Sequence, residues 1–218
     1  DIFREQKKID YQLDIEAAAA LSQSEIGLIS ASIARDISKV SKSGKITAKR
    51  IKQLEAKSDH DTAALVEALA EKCNKESRPW IHYGLTSNDL VDTSNSMQMR
   101  DAIKIIQPKV SKLSLLLSKN AIKHRSVPAV GRTHGQHASI ISFGLKFANW
   151  AAEMSTHLER LDEIKKRVLI CKTLGVVGTG SLMGKNAVKV QERVARKLAL
   201  YSAKVTTQII PRERYTEY

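Results

Sequence analysis

Apolar side chains recur at steps of three and four along most of this chain, and helix-interrupting residues gather in only three places. Seven of the ten glycines (Gly84, Gly131, Gly135, Gly175, Gly178, Gly180 and Gly184) fall within 74–86, 127–136 and 175–184, and the whole chain has four prolines. So little punctuation favours long helices over many turns. The expected class is all-α.

The periodicity places the elements. Ile9, Leu13, Ala17 and Leu21 predict a helix over 5–23. Ile26, Ile29, Ile33, Ile37 and Val40 form one stripe, with Gly44 as its stop. Thr47 can cap a third helix carrying Ile51 and Leu54, and Ala64, Leu65, Ala68 and Leu69 mark a fourth over 60–73, capped by Ser58 or Asp59. Ser87, Asn88 and Asp89 open a helix that runs to about Ile106, and Pro108 suits the first turn of the next. The longest pattern spans 138–172. The Gly-rich stretch 175–184 reads as a flexible connection, and Val190, Val194 and Leu198 mark a helix over 185–200. These elements divide into an N-terminal helical domain, 1–106, and the first part of a central long-helix bundle, 107–218.

Composition closes off several function classes. No run approaches the ~18 apolar residues of a membrane span, and the segment DIFREQKKID lacks a signal-peptide pattern. Cys73 and Cys171 lack metal-type spacing, so neither a disulfide scaffold nor a zinc site is expected, and a reducing cytoplasm is the default. The charge is uneven: residues 111–218 hold 19 Lys and Arg against 7 Asp and Glu, net +12 of the chain's +13. That excess suits an anionic partner, or a solvated surface balanced elsewhere.

The breaks carry the chemistry. In HYGLTSND (82–89), Thr86 and Ser87 precede a helix whose free N–H groups and dipole favour a carboxylate; ordinary capping is the plainer alternative. In GRTHGQ (131–136), His134 lies between two glycines beside Thr133, either an imidazole able to exchange a proton near neutrality or a structural loop histidine. SDHD (58–61) holds His60 between Asp59 and Asp61, either as a helix start or as an imidazole tuned by carboxylates. His82 reads as structural, and His124 and His157 as surface residues. In TQIIPRERY (207–215), Gln208 can hold an amide edge, and Arg212 and Arg214 can bind carboxylate or phosphate.

Taken in order, SDHD, WIHYGLTSNDLVDT, VGRTHGQHASIISFGLKFANW, GVVGTG and TTQIIPRERYTEY resemble the adenylosuccinate lyases of the fumarase/aspartase superfamily, and DYQLDIEAAAA (10–20) resembles that family's first long helix. THGQ separates them from fumarases and argininosuccinate lyases, which look more like THLQ. The resemblance implies a long-helix bundle, a homotetramer with active sites shared between subunits, and no metal or organic cofactor. It implies a small anionic purine-nucleotide substrate, with fumarate eliminated from adenylosuccinate and from the succinyl-carboxamide ribotide. By the same resemblance His134 is the acid at the leaving nitrogen and His60 supports it. Asp59, Asp61, Thr86, Ser87, Thr133, Gln208 and Arg212 contact substrate. The family's serine-bearing loop, GSSxMPxKxNP, is not among these residues, so they are expected to be an incomplete chain and inactive alone. HASIIS follows THGQ, and RERY stands where the family has an RDRH-type segment.

Two other functions fit parts of the pattern. A sister lyase would act on another substrate, such as argininosuccinate. A basic helical nucleic-acid-binding protein would show steep salt dependence, although aromatics are only 5% of the chain.

Overall fold

A computed structural model describes residues 1–217. Its elements are α1 (Glu5–Glu25), α2 (Ala31–Ser41), α3 (Ala48–Ser58), α4 (Asp61–Lys72), α5 (Ser87–Lys123), β1 (Pro128–Thr133), β2 (Gln136–Ser142), α6 (Gly144–Val168), β3 (Ile170–Cys171), α7 (Ala187–Lys197), β4 (Tyr201–Ser202) and α8 (Glu213–Thr216). Helices dominate and the described strands are short, so the class is all-α, as the periodicity implies. Residues 1–101 with 166–217 form one compact unit, and residues 102–165 a second.

In the first unit α1 packs against α2 and α7, and α3 against α4. Helix α1 is buried on several faces, including Ile15 and the run Ala17–Ala20, because small side chains let neighbouring helices approach. Its buried Glu16 and Gln23 are seven residues apart, hence on one face, and both reach the 82–83 turn. Helix α2 begins later than the stripe suggests. Gly27 (φ 77) turns the chain after Ile26, and Ser30 caps the helix by accepting from the Ile33 N–H at 3.4 Å, so Ile26 and Ile29 lie in the connection. Thr47 caps α3 as expected, accepting from the Arg50 N–H at 3.2 Å.

Residues 168–175, from the last residue of α6 through the extended β3 to the Gly175 turn, lie beside the first turns of α5. A helix offers an extended neighbour no free backbone groups, so side chains must supply the bonds. Thr93 Oγ1 donates to the Lys172 carbonyl at 3.0 Å and accepts its N–H at 3.1 Å, and Ser96 donates to the Val168 carbonyl at 3.2 Å. This explains why Thr93 and Ser96, together with Asp89, which accepts from the Gly175 N–H, are spaced at helical steps and fully buried. The Gly-rich stretch is pinned at several points and is not a loose connection: Gly180 N–H bonds the Leu174 carbonyl at 2.7 Å, and residues Ser181–Asn186 form a 3-10 turn with Met183 buried.

The second unit corrects two expectations. Helix α5 does not end at Ile106; Pro108 lies inside it. Proline removes one N–H and crowds one carbonyl, and here it sits on an exposed face where water can serve the carbonyl it frees. The helix expected from 138 begins instead at Gly144, because 128–142 is an antiparallel hairpin with Ala129 opposite Ile141 and Thr133 opposite Gln136. The hairpin closes where the Phe143 N–H meets the Val127 carbonyl at 2.7 Å. Gly144 is required there, since a Cβ would lie 2.4 Å from the Ala121 carbonyl oxygen. His124 stacks on Phe147 with ring centroids 5.8 Å apart. Beyond the hairpin, Gln107 donates to Asp162 at 3.0 Å and Lys165 to Gln107 at 2.9 Å.

Candidate functional site

The cleft at the start of α5 is assembled from two turns. The first is SDHD. Asp59 ends α3 in the left-handed conformation (φ 51), with its N–H on the Glu55 carbonyl at 2.8 Å. The chain then extends through His60, which caps α4: its Nδ1 accepts from the Ala63 N–H at 3.2 Å. The cap is thus His60, and neither Ser58 nor Asp59 serves. With Nδ1 accepting, the proton of the neutral ring belongs on Nε2, which is left for another partner. Asp61 accepts from the Thr62 N–H at 2.6 Å and lies 3.7 Å from His60 Nδ1.

The second turn is HYGLTSND. His82 (φ 61) and Gly84 (φ 75) both take left-handed conformations, and the Leu85 N–H closes on the His82 carbonyl at 3.1 Å. Asp89 accepts from the Thr86 N–H at 3.0 Å while the Asp89 N–H bonds the Thr86 carbonyl at 2.9 Å, a reciprocal cap that fixes the helix start. Asp89 also accepts from the Gly175 N–H at 2.9 Å and pairs with Lys172, whose ammonium donates to the Gly175 carbonyl at 3.1 Å. Burial raises the Asp89 carboxyl above its ordinary range, against the pull of Lys172 and the two amides.

Between the turns is a cleft of about 420 Å³ lined by His60, His82, Thr86 and Ser87, with Val66 and Leu85 as its apolar wall. Thr86 is buried and Ser87 half-buried. The N–H groups of the first helical turn and the two hydroxyls form an anion-binding geometry, and two imidazoles stand beside it. His82, read from sequence as structural, is the member that sequence reasoning missed. Burial opposes its charge, but hydrogen bonding and attraction from Glu16 prevail, and the imidazole is held above its ordinary 6.5. The pairing with Glu16 therefore favours the protonated ring.

The remaining predicted residues lie elsewhere. Thr133 and His134 are exposed at the tip of the hairpin in the second unit. His134 (φ 51) and Gly135 (φ 73) form a two-residue turn with both φ positive, the turn type that matches strand twist. Thr133 also borders an open cleft of about 550 Å³ with Arg132 and Lys146. In the first unit Gln208 is exposed. Arg212 is already engaged: it pairs with the buried Asp92 at 2.6 Å, which also accepts from the Ile210 N–H at 2.8 Å and the Tyr215 hydroxyl at 3.2 Å. Burial, with Asp92 adding to it, pushes the Tyr215 hydroxyl up to about 12. Among the described residues no group of three or more His, Cys, Asp or Glu is placed to hold a metal ion, and no helix is long and apolar enough to cross a membrane.

The lyase family model (Lyase_1) matches residues 1–218. The chain is 41% identical over 217 residues to an adenylosuccinate lyase of Methanocaldococcus jannaschii, covering 100% of this chain and 47% of that protein. It is 37% identical to an adenylosuccinate lyase of Methanothermobacter thermautotrophicus, covering 100% and 48%. Among solved structures it is similar to a fumarate lyase from Mesorhizobium, with a TM-score of 0.88, 30% identity, and 94% and 48% of the two chains covered. The chain spans about half the length of the curated relatives it matches.

Proposed function

Because this chain belongs to the Lyase_1 family of lyases, we propose that it forms part of an adenylosuccinate lyase, releasing fumarate from adenylosuccinate to give AMP and from the succinyl-carboxamide ribotide. The reaction breaks a carbon–nitrogen bond. A base takes the proton from the carbon beside a carboxylate, the new C=C forms, and the nitrogen leaves with a proton from an acid.

One observation carries this reading: a single cleft joins two imidazoles to a helix N-terminus bearing Thr86 and Ser87. One succinyl carboxylate is held by these hydroxyls and the first-turn N–H groups, where charge that develops during elimination is stabilised without reorganisation. His82, its ring paired with Glu16, stands beside that carboxylate position. His60 presents Nε2 to the substrate and supports the acid. That acid is His134, whose exposure on a glycine-flanked turn leaves both ring nitrogens open to substrate. Asp59, Asp61, Thr133, Gln208 and Arg212 are proposed as further substrate contacts, Arg212 with Asp92 holding its guanidinium in place.

The protein is proposed to act in the cytoplasm as a homotetramer with shared active sites. Leu113, Leu116, Ile122 and Trp150 are exposed in the second unit, an apolar surface of the kind that other helices cover. The 218 residues alone are proposed to be inactive, because the serine-bearing loop of the resemblance is not among them.

Ultraviolet absorbance of the full-length enzyme tests the reading: adenylosuccinate is consumed, and fumarate and AMP appear in equal amounts. Turnover of argininosuccinate in its place would assign the chain to a sister lyase. Steeply salt-dependent nucleic-acid binding without turnover would replace the enzyme altogether.

A further inference from the structure

Glu16, with only 1% of its surface exposed, is bonded to His82, which lines this cleft, and the chemistry above leaves it without a task. It lies in the middle of α1, where a carboxylate is costly unless fully partnered. Both of its oxygens are spent on one residue 66 positions away. Oε2 accepts from the His82 backbone N–H at 2.9 Å, and Oε1 meets His82 Nδ1 at 2.6 Å. His82 itself holds a left-handed backbone (φ 61), a conformation that a residue with a side chain adopts only when its surroundings impose it. One carboxylate therefore fixes both the backbone and the ring of the same histidine.

We propose that Glu16 is a positioning residue for substrate binding: it holds the His82 proton on Nδ1 and aims Nε2 into the cleft as a cationic donor to a substrate carboxylate or phosphate. This rests on the reading of the cleft as the substrate site. The geometry leaves Nε2 as the only ring nitrogen without a protein partner from Glu16, and a carboxylate on the opposite nitrogen raises its basicity. The other charged groups around His82 permit this. Asp89 at the start of α5 favours the cation but is already matched by Lys172, and His60 on α4 borders the same cleft.

The test uses the full-length enzyme, with KM and kcat for adenylosuccinate measured across pH and the affinity for succinate measured by calorimetry. Glu16→Gln keeps the shape and the backbone acceptor but removes the charge. It is expected to raise KM, and to weaken succinate binding, by about tenfold, the loss of one charge-assisted contact, with a much smaller change in kcat. The alkaline rise of KM should begin at lower pH than in the wild type. In a His82→Gln background the same substitution should add nothing. A Glu16→Gln enzyme with wild-type KM and pH profile overturns the proposal, as does an equal loss in the His82→Gln background. If Glu16→Gln does not fold, the wild type decides: a KM that rises only below the ordinary histidine range overturns the proposal, and a rise above it, with intermediate values for Glu16→Asp, upholds it. Failure of the wild type to turn over adenylosuccinate refutes the functional reading alone. Succinate affinity, measured in the same variants, then decides the role of Glu16.

Discussion

The ammonium of Lys172 meets the carboxylate of Asp89 where neither side chain has any solvent exposure. The pair ties the turn at Gly175 to the start of α5, and Asp89 spends its second oxygen on the Thr86 and Gly175 amides. Removing one partner leaves an uncompensated buried charge. Lys172→Met or Asp89→Asn should each cost about 3–5 kcal/mol, read as a fall of roughly 10 °C in Tm. The double variant should lose less than the two losses added together, because the partners share one interaction. Calorimetry of the four proteins checks both statements.

His82 makes stability depend on pH. Its folded-state value is raised above 6.5 because Glu16 outweighs the cost of burial. The folded state thus favours the protonated ring, and the contribution is complete below the unfolded value and disappears as pH rises through the folded one. Urea unfolding of the wild type and of His82→Gln should differ most below the ordinary histidine range and converge as pH rises above it. A difference that grows with pH would contradict the geometry.

Catalysis and stability should separate at the hairpin tip. His134 is exposed and contributes little to packing. His134→Ala in the full-length enzyme should lower kcat by about 10²–10⁴-fold and leave Tm unchanged. Normal turnover by that variant would remove His134 as the acid.

Neither cysteine should react in the native protein. Burial pushes both the Cys73 and Cys171 thiols up to about 12, so almost no thiolate is present near neutrality. A chromogenic thiol reagent at neutral pH should find no thiol in the folded chain and two per chain in denaturant.

Local features were legible in the sequence, and long-range ones were not. The Ile33, Ile37 and Val40 spacing gave α2 because period alone carries that information, and Thr47 gave the start of α3. Thr86, Ser87 and His60, candidates on sequence alone, line one cleft, and they were legible because the turns that present them are built from adjacent residues. Pro108 was misread because proline suits both the first turn of a helix and an exposed interior position, and only the surroundings distinguish them. The hairpin was misread because Ile141 fits a helical stripe as well as a strand, and the decisive close approach of Gly144 to Ala121 belongs to the tertiary structure. The role of His82 depends on Glu16, 66 residues away on another helix, a distance across which no spacing rule operates.

The polar stripe on α5 also dictates an order of events. The segment 168–175 finds its partners on Asp89, Thr93 and Ser96, between 72 and 86 residues earlier in the chain. A loop of that length must close before those bonds form, and its entropy is lost before any of them repays it. Pulse-labelled hydrogen exchange during refolding should therefore find the amides of Lys172 and Gly175 acquiring protection after those inside α1 and α5. The region that shapes the cleft would be the last to become native.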